Sequence, residues 1–213
     1  MLTELPKIYP ITDAGISDLS HAQQVRSLAN AGARLIQFRE KDASGHDFYR
    51  SALEALDAAH KFGAKLIIND RVDIALTINA DGVHLGQDDL PPVHARQILG
   101  DQAIIGYSTH NFEQAMEAAS LPVDYIALGP IFPTTTKANP DEVVGLELLN
   151  RVRQQLPNIR LVAIGGITAA NIAGVFAAGA DSAAVISSVL ADPSQIAARF
   201  HELSSLASAG NIV

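Results

Sequence analysis

The sequence contains no cysteine and no tryptophan. Without thiols there is no disulfide, no thiolate nucleophile and no Cys-based zinc or iron–sulfur site, which suits a reducing compartment, so cytoplasm is the expected location. Positive charge is scarce as well. Fifteen Lys and Arg stand against 23 Asp and Glu, a net charge of −8, the wrong sign for a surface that grips nucleic acid as a whole. Any anionic ligand must be caught by a local cluster. No apolar run reaches the roughly 18 residues of a membrane span, and MLTELPKIYPITD has no apolar core behind a basic start, so neither a span nor a secretory leader is expected. What is present is an ordinary globular mixture, 48% hydrophobic and 18% charged, which sets aside a disordered, collagenous or purely coiled-coil chain. A length of 213 residues permits one large domain or two small ones.

Short apolar runs of strand length alternate with Ala/Leu-rich amphipathic stretches of helix length. The periodicity predicts strands over 7–12, 34–38, 65–68, 82–85, 103–107, 124–128, 160–164 and 182–186, and helices starting near Asp18, Gly45, Arg71, Pro92, Asn111, Val144, Thr168 and Pro193. Eight βα units share 213 residues, about 27 each, which suffices for a strand, a helix and two short loops. Ala31-Gly32-Ala33, Phe62-Gly63-Ala64 and Ala178-Gly179-Ala180 each put Gly between a helix and the next strand, where the chain must turn back. Eight right-handed βα units most simply close into a (β/α)8 TIM barrel, an α/β fold in one domain over 1–213; an open doubly wound sheet has the same element order.

In such a barrel the active site is built at the C-terminal ends of the strands. There the sequence carries Thr12 and Asp13; Gln37, Arg39 and Lys41; Asn69 and Asp70; Gly86 to Asp89; Ser108 to His110; Thr134, Thr136 and Lys137; Gly165 and Gly166; and Ser187 and Ser188. The strand starts (Lys7, Arg34, Lys65, Arg160) read as solubilising residues with little that acts in concert. Gln37, Arg39 and Lys41 alternate, so extended backbone sends all three to one side and Phe38 and Glu40 to the other. An amide beside an Arg fork and a Lys point charge suits a phosphate or pyrophosphate; a solvated strand end reads equally well from this motif alone. Asp70 and Asp89 are hard oxygen ligands at neighbouring strand ends, apt for Mg²⁺, and each also reads as a helix N-cap. PTTTK sits in a loop longer than the usual two to six or so residues, as a lid or simply as a loop. Gly165-Gly166 and Ser187-Ser188 fall where backbone N–H groups after strands seven and eight commonly hold phosphate. His84 reads as a satisfied core histidine and His110 as a capping or packing residue, neither as a catalytic base.

Taken in order, YPITD, QFREK, IINDRVDIAL, DGVHLGQDDLP, GYSTHN, DYIALGPIFPTTTK, VAIGGI and ADSAAVISS, spread over 9–189, resemble the thiamine phosphate synthases. The resemblance implies a TIM barrel that joins hydroxymethylpyrimidine pyrophosphate to thiazole phosphate with Mg²⁺ as cofactor, releasing pyrophosphate. It implies that Gln37, Arg39, Glu40, Lys41, Asn69, Ser108 and Lys137 hold the pyrimidine pyrophosphate, with Ser108, Lys137 and Arg39 at the chemistry. Asp70 and Asp89 would bind the metal, and Thr134, Thr136, Gly166, Ile186 and Ser187 the thiazole phosphate. Its partners are then small molecules, with no nucleic acid or membrane and with a homo-oligomer left open. Two departures stand out: Asp88-Asp89 where the family often has Glu-Asp, and Phe38 where Leu is usual, on the face away from the ligand. Two rivals share parts of the pattern. One is a thiazole tautomerase-like paralogue, with His110 at its SxH position but generally without the full metal and pyrophosphate set. The other is a non-catalytic barrel that binds thiamine precursors.

Overall fold

The structure, a computed structural model, describes residues 4–134 and 141–209; Thr136 and Lys137 lie outside the described residues. Eight parallel strands pair in chain order and close on themselves. They are β1 (Ile8–Thr12), β2 (Leu35–Phe38), β3 (Lys65–Asn69), β4 (Gly82–Leu85), β5 (Ile104–Thr109), β6 (Tyr125–Leu128), β7 (Leu161–Ile164) and β8 (Ser182–Val185). Closure comes from β1, which pairs with β2 at Ile11↔Gln37 and with β8 at Tyr9↔Ala184. Around them run α1 (His21–Asn30), α2 (Gly45–Lys61), α3 (Val72–Ile78), α4 (Pro92–Leu99), α5 (Phe112–Ala118), α6 (Gly145–Gln155), α7 (Ile172–Ala177), α8 (Ser187–Leu190) and α9 (Ile196–Ala209). No helix among the described residues is long and apolar enough to cross a membrane.

The strands read as near-continuous apolar runs because both of their faces are covered. Alternate residues turn inward: Tyr9, Ile11, Leu35, Ile67, Ile104, Tyr125 and Val162 fill the barrel. Their neighbours Ile36, Ile68, Val83, Ile105, Ile126 and Leu161 pack outward under the helices. Phe38 is among the outward set, fully buried against Phe48 and the His21 ring, so the period-2 reading of QFREK holds.

Helix starts differ where side chains redirect the chain. The first helix begins at His21 rather than near Asp18, because Ser20 and Gln23 form a capping box: Ser20 Oγ accepts from Gln23 N–H and Gln23 Oε1 from Ser20 N–H. Near Thr168 an Asn171 side chain first accepts the Thr168 N–H, and the helix begins at Ile172. The expected strand end at Ile186 is instead the entry to α8, a four-residue helix absent from the sequence reading.

The strand starts also need correction, since they do act in concert. Asp81, Asp124 and Asp181 each precede an even-numbered strand. Their Oδ2 atoms accept the backbone N–H of Leu66, Ile105 and Leu161 on the strand before, at 2.9, 2.9 and 2.8 Å. Each carboxylate also meets a cationic-type side chain from the helix that leads into that earlier strand: His60 on α2, Arg96 on α4 and Arg153 on α6. This threefold clamp closes the barrel's N-terminal end and leaves the other end open for chemistry.

Candidate active site

At the C-terminal ends of the strands lies a cavity of about 580 Å³. Its first wall is charged. Arg39 and Lys41 leave β2 on the cavity side, where Gln37 also lines the space. Arg39 is held by Asp13 at 2.6 Å and Lys41 Nζ by Asp70 Oδ2 at 2.5 Å. Asn69, Asp70, Asp88 and Asp89 supply the facing oxygens from the ends of β3 and β4. Asp70 adopts the left-handed conformation (φ 63°), which Asp tolerates better than most residues, while its N–H continues the ladder to His84 O. Asp89 Oδ2 accepts the Gly86 N–H at 2.7 Å. Partial burial, with Asp70 close by, raises the Asp89 carboxyl above the ordinary carboxylate value. Two carboxylates that repel one another at the edge of a cavity are the hard-oxygen donor set that a divalent cation relieves, with phosphate oxygens completing the shell.

The opposite wall is small and neutral. Ile131 N–H and Phe132 N–H bond back to Ile164 O and Gly165 O, so the chain after β6 lies directly over Gly165 and Gly166. A Cβ at either glycine would collide with Pro130 or with Phe132 and Pro133, so this close crossing requires glycine. Ile186, Ser187 and Ser188 open α8 toward the same space, and Thr134 reaches it from the β6 side. Ser188 Oγ is the one buried side-chain polar atom among the described residues with no hydrogen-bond partner. A bound oxyanion would supply that missing partner.

Between the walls the floor is polar where a barrel interior is normally apolar. His84 Nε2 meets Ser108 Oγ at 2.8 Å and His84 Nδ1 meets Tyr125 OH at 3.0 Å. Burial lowers the His84 pKa to about 4, so the ring is neutral at physiological pH. It raises the Tyr9 and Tyr125 phenols above their ordinary value, so both stay protonated.

Residues 8–189 match the profile of a family described as thiamine monophosphate synthase. The chain belongs to the thiamine monophosphate synthase family. It is 45% identical over 186 residues to the thiamine-phosphate synthase of Chloroflexus aurantiacus, covering 87% of this chain and 85% of that one. To the thiamine-phosphate synthase of Koribacter versatilis it is 44% identical over 207 residues, 94% and 96% of the two chains. The solved thiamine phosphate pyrophosphorylase from Pyrococcus furiosus superposes with a TM-score of 0.86 at 34% identity, over 96% of each chain.

Of the residues that the family resemblance singles out, Gln37, Arg39, Lys41, Asn69, Asp70, Asp89, Ser108, Thr134, Gly166, Ile186 and Ser187 all line this one cavity. Glu40 does not. Its carboxylate lies 3.2 Å from His21 Nε2 and accepts the Asp42 N–H, on the helix side of β2. His110 also borders the cavity, its Nδ1 2.8 Å from Gly129 O and 3.5 Å from Asp141 Oδ2. His84 is the satisfied core histidine that the sequence suggests and borders the cavity as well, whereas Ser188, Tyr9 and Tyr125 carry no distinctive signal in the sequence. Only the inward phase of β4, β1 and β6 would have pointed to the histidine and the two phenols.

Proposed function

We propose that this chain is a thiamine-phosphate synthase, a transferase forming a C–N bond. It joins 4-amino-2-methyl-5-hydroxymethylpyrimidine pyrophosphate to 4-methyl-5-(2-hydroxyethyl)thiazole phosphate and releases pyrophosphate. The observation that carries the reading is the two-walled cavity: a cation-and-carboxylate wall suited to a pyrophosphate faces a glycine-and-serine wall suited to a monophosphate, with room for two rings between.

In this reading Arg39, Lys41 and Asn69 hold the pyrophosphate and Gln37 and Ser108 the pyrimidine, with Lys137 added from the PTTTK segment. Thr134, Thr136, Gly166, Ile186 and Ser187 hold the thiazole phosphate. The donor set fits Mg²⁺, with Asp70 and Asp89 as its protein ligands; when bound, that ion neutralises charge on the leaving pyrophosphate. The bond from the pyrimidine methylene to the pyrophosphate oxygen breaks, its electron pair leaving with pyrophosphate. The thiazole nitrogen then donates its lone pair to the resulting carbocation. No proton moves in either step, so the Ser108–His84 hydrogen bond is not called on as a nucleophile–base pair, and the cations and amides of the site suffice. The leaving charge is met by Arg39 and Lys41, already oriented by Asp13 and Asp70. We place the reaction in the cytoplasm, with small molecules as its only required partners.

The test is pyrophosphate release on mixing both substrates with the protein, first with Mg²⁺ and then with EDTA. Mg²⁺-dependent release requiring both substrates is the expected result. No release from folded protein would overturn the reading and turn attention to the tautomerase-like alternative, for which His110 is the residue to test.

A further inference from the structure

Beneath the cavity, four hydrogen bonds join two residues that stand on different strands of the barrel. Gln37 Nε2 donates to Tyr9 OH at 3.2 Å. Tyr9 OH pairs with Tyr125 OH at 2.9 Å, Tyr125 OH with His84 Nδ1 at 3.0 Å, and His84 Nε2 with Ser108 Oγ at 2.8 Å. Tyr9, Tyr125, Gln37 and His84 are all buried. The rings are held in place: Tyr9 meets Tyr125 edge-on with centroids 5.8 Å apart, and His84 stacks on Tyr125 at 5.6 Å. Residue 106 on β5 must be glycine for this to exist, because a Cβ there would strike the Tyr125 hydroxyl and His84 Nδ1 together.

The direction of the chain follows from counting hydrogens. A carboxamide nitrogen only donates, so the Tyr9 oxygen accepts from Gln37 and its own hydrogen needs another acceptor. Tyr125 OH is the partner within reach. If Tyr9 donates to Tyr125, the Tyr125 hydrogen goes to His84 Nδ1, and His84 carries its proton on Nε2 and donates to Ser108 Oγ. Every buried hydrogen is then used. If Tyr125 instead donates to Tyr9, the Tyr9 hydrogen is stranded in the barrel interior, at the cost of an unsatisfied buried donor. A doubly protonated His84 strands it in the same way.

We infer that Gln37, Tyr9, Tyr125 and His84 form a one-way hydrogen-bond relay that makes Ser108 a donor toward the cavity, and that Tyr9 and Tyr125 are positioning residues acting through His84. This deepens the proposed function and rests on it for the ligand: Ser108 Oγ, already accepting from His84, keeps its own hydrogen free for a lone pair on the aminopyrimidine ring. Gln37 and Ser108, the two groups assigned to the pyrimidine, are thereby locked to each other from below.

The test reads the histidine first. In ¹⁵N-histidine-labelled, ligand-free protein, with the His84 signals identified by their loss in His84→Gln, the expected result is a protonated Nε2 and a bare Nδ1. A protonated Nδ1 overturns the relay. In Tyr125→Phe the histidine loses the donor to Nδ1, so the Nδ1-protonated form should grow, whereas in Tyr9→Phe the Tyr125 hydrogen still has only Nδ1 as acceptor and the protonated Nε2 should persist. In Tyr125→Phe the KM for the pyrimidine pyrophosphate should rise about fivefold, while that for the thiazole phosphate stays within about twofold. Unchanged tautomer and unchanged KM in folded Tyr125→Phe overturn the proposal, as does a protonated Nδ1 in folded Tyr9→Phe. The histidine signals do not depend on turnover. A protonated Nε2 in a chain that makes no thiamine phosphate supports the relay while sinking the synthase reading.

Discussion

Arg39 Nη1 lies 2.6 Å from Asp13 Oδ2, so the cation that faces the cavity from the end of β2 is anchored from the end of β1. Asp13 is itself fixed, through its backbone N–H to Gln24 Oε1 and through Oδ1 to the Gly15 N–H. Both partners of the ion pair are mostly buried, which limits the solvent screening that weakens surface pairs. Asp13→Ala should lower kcat/KM for the pyrimidine pyrophosphate about tenfold by releasing a preoriented guanidinium. Asp13→Asn, which keeps an acceptor, should fall between it and the native chain. Steady-state kinetics on both variants decide the matter, and equal rates in all three would show that Arg39 needs no anchor.

Asp89→Asn separates charge from capping. The amide oxygen can still accept the Gly86 N–H, but the repulsion with Asp70 is gone, so metal-free stability should hold or rise slightly. The Mg²⁺ concentration for half-maximal rate should rise at least about tenfold, since one of the two carboxylates proposed as its ligands is lost. An unchanged Mg²⁺ titration, with EDTA still abolishing the native rate, would remove Asp89 from the metal site.

At the other end of the barrel, Arg153 donates to the carbonyls of Leu156, Pro157, Ile159 and Gly179 and meets Asp181. Arg153→Met should cost about 2 kcal/mol, discounted because Asp181 is partly exposed, or roughly 4–8 °C of melting temperature. The kinetic constants should stay as they are, because the residue is at the closed end. A variant that melts normally, or loses rate without losing stability, contradicts this division of labour.

His84 sets a pH dependence of stability. Its folded pKa of about 4 lies below the ordinary value of 6.5. Between those limits the unfolded chain binds a proton that the folded chain refuses, so its contribution is intact above pH 6.5 and lost as pH falls toward 4, on the order of 3 kcal/mol across the window. Denaturant midpoints of the native chain should drop through that range, and those of His84→Gln should drop less. Parallel profiles would mean that His84 is not the group responsible.

The architecture was legible in the sequence because it rests on local periodicity. Apolar runs at strand spacing alternate with amphipathic helical stretches, and both faces of a parallel strand must be covered, so eight repeats allow few alternatives. The cavity walls were legible for the same reason: residues after a barrel strand converge whatever their distance in sequence, so QFREK, IIND, GQDD, GGI and ISS are brought to one space. Glu40 illustrates the limit. It sits inside a site motif, but strand phase sends it outward to His21.

What only the tertiary structure decided are pairings across the barrel. Asp81, Asp124 and Asp181 look like turn residues until each is seen to take a strand N–H and a helix side chain at once. Tyr9 and Tyr125, 116 positions apart, share a hydrogen bond that neither neighbourhood announces. Ser188 Oγ is an ordinary serine hydroxyl until burial leaves it without a partner. Periodicity tells which way a side chain points, and that is a property of neighbouring residues. Which group it meets, and whether its hydrogens are all used, depends on barrel closure and register, and those exist only once the chain has folded.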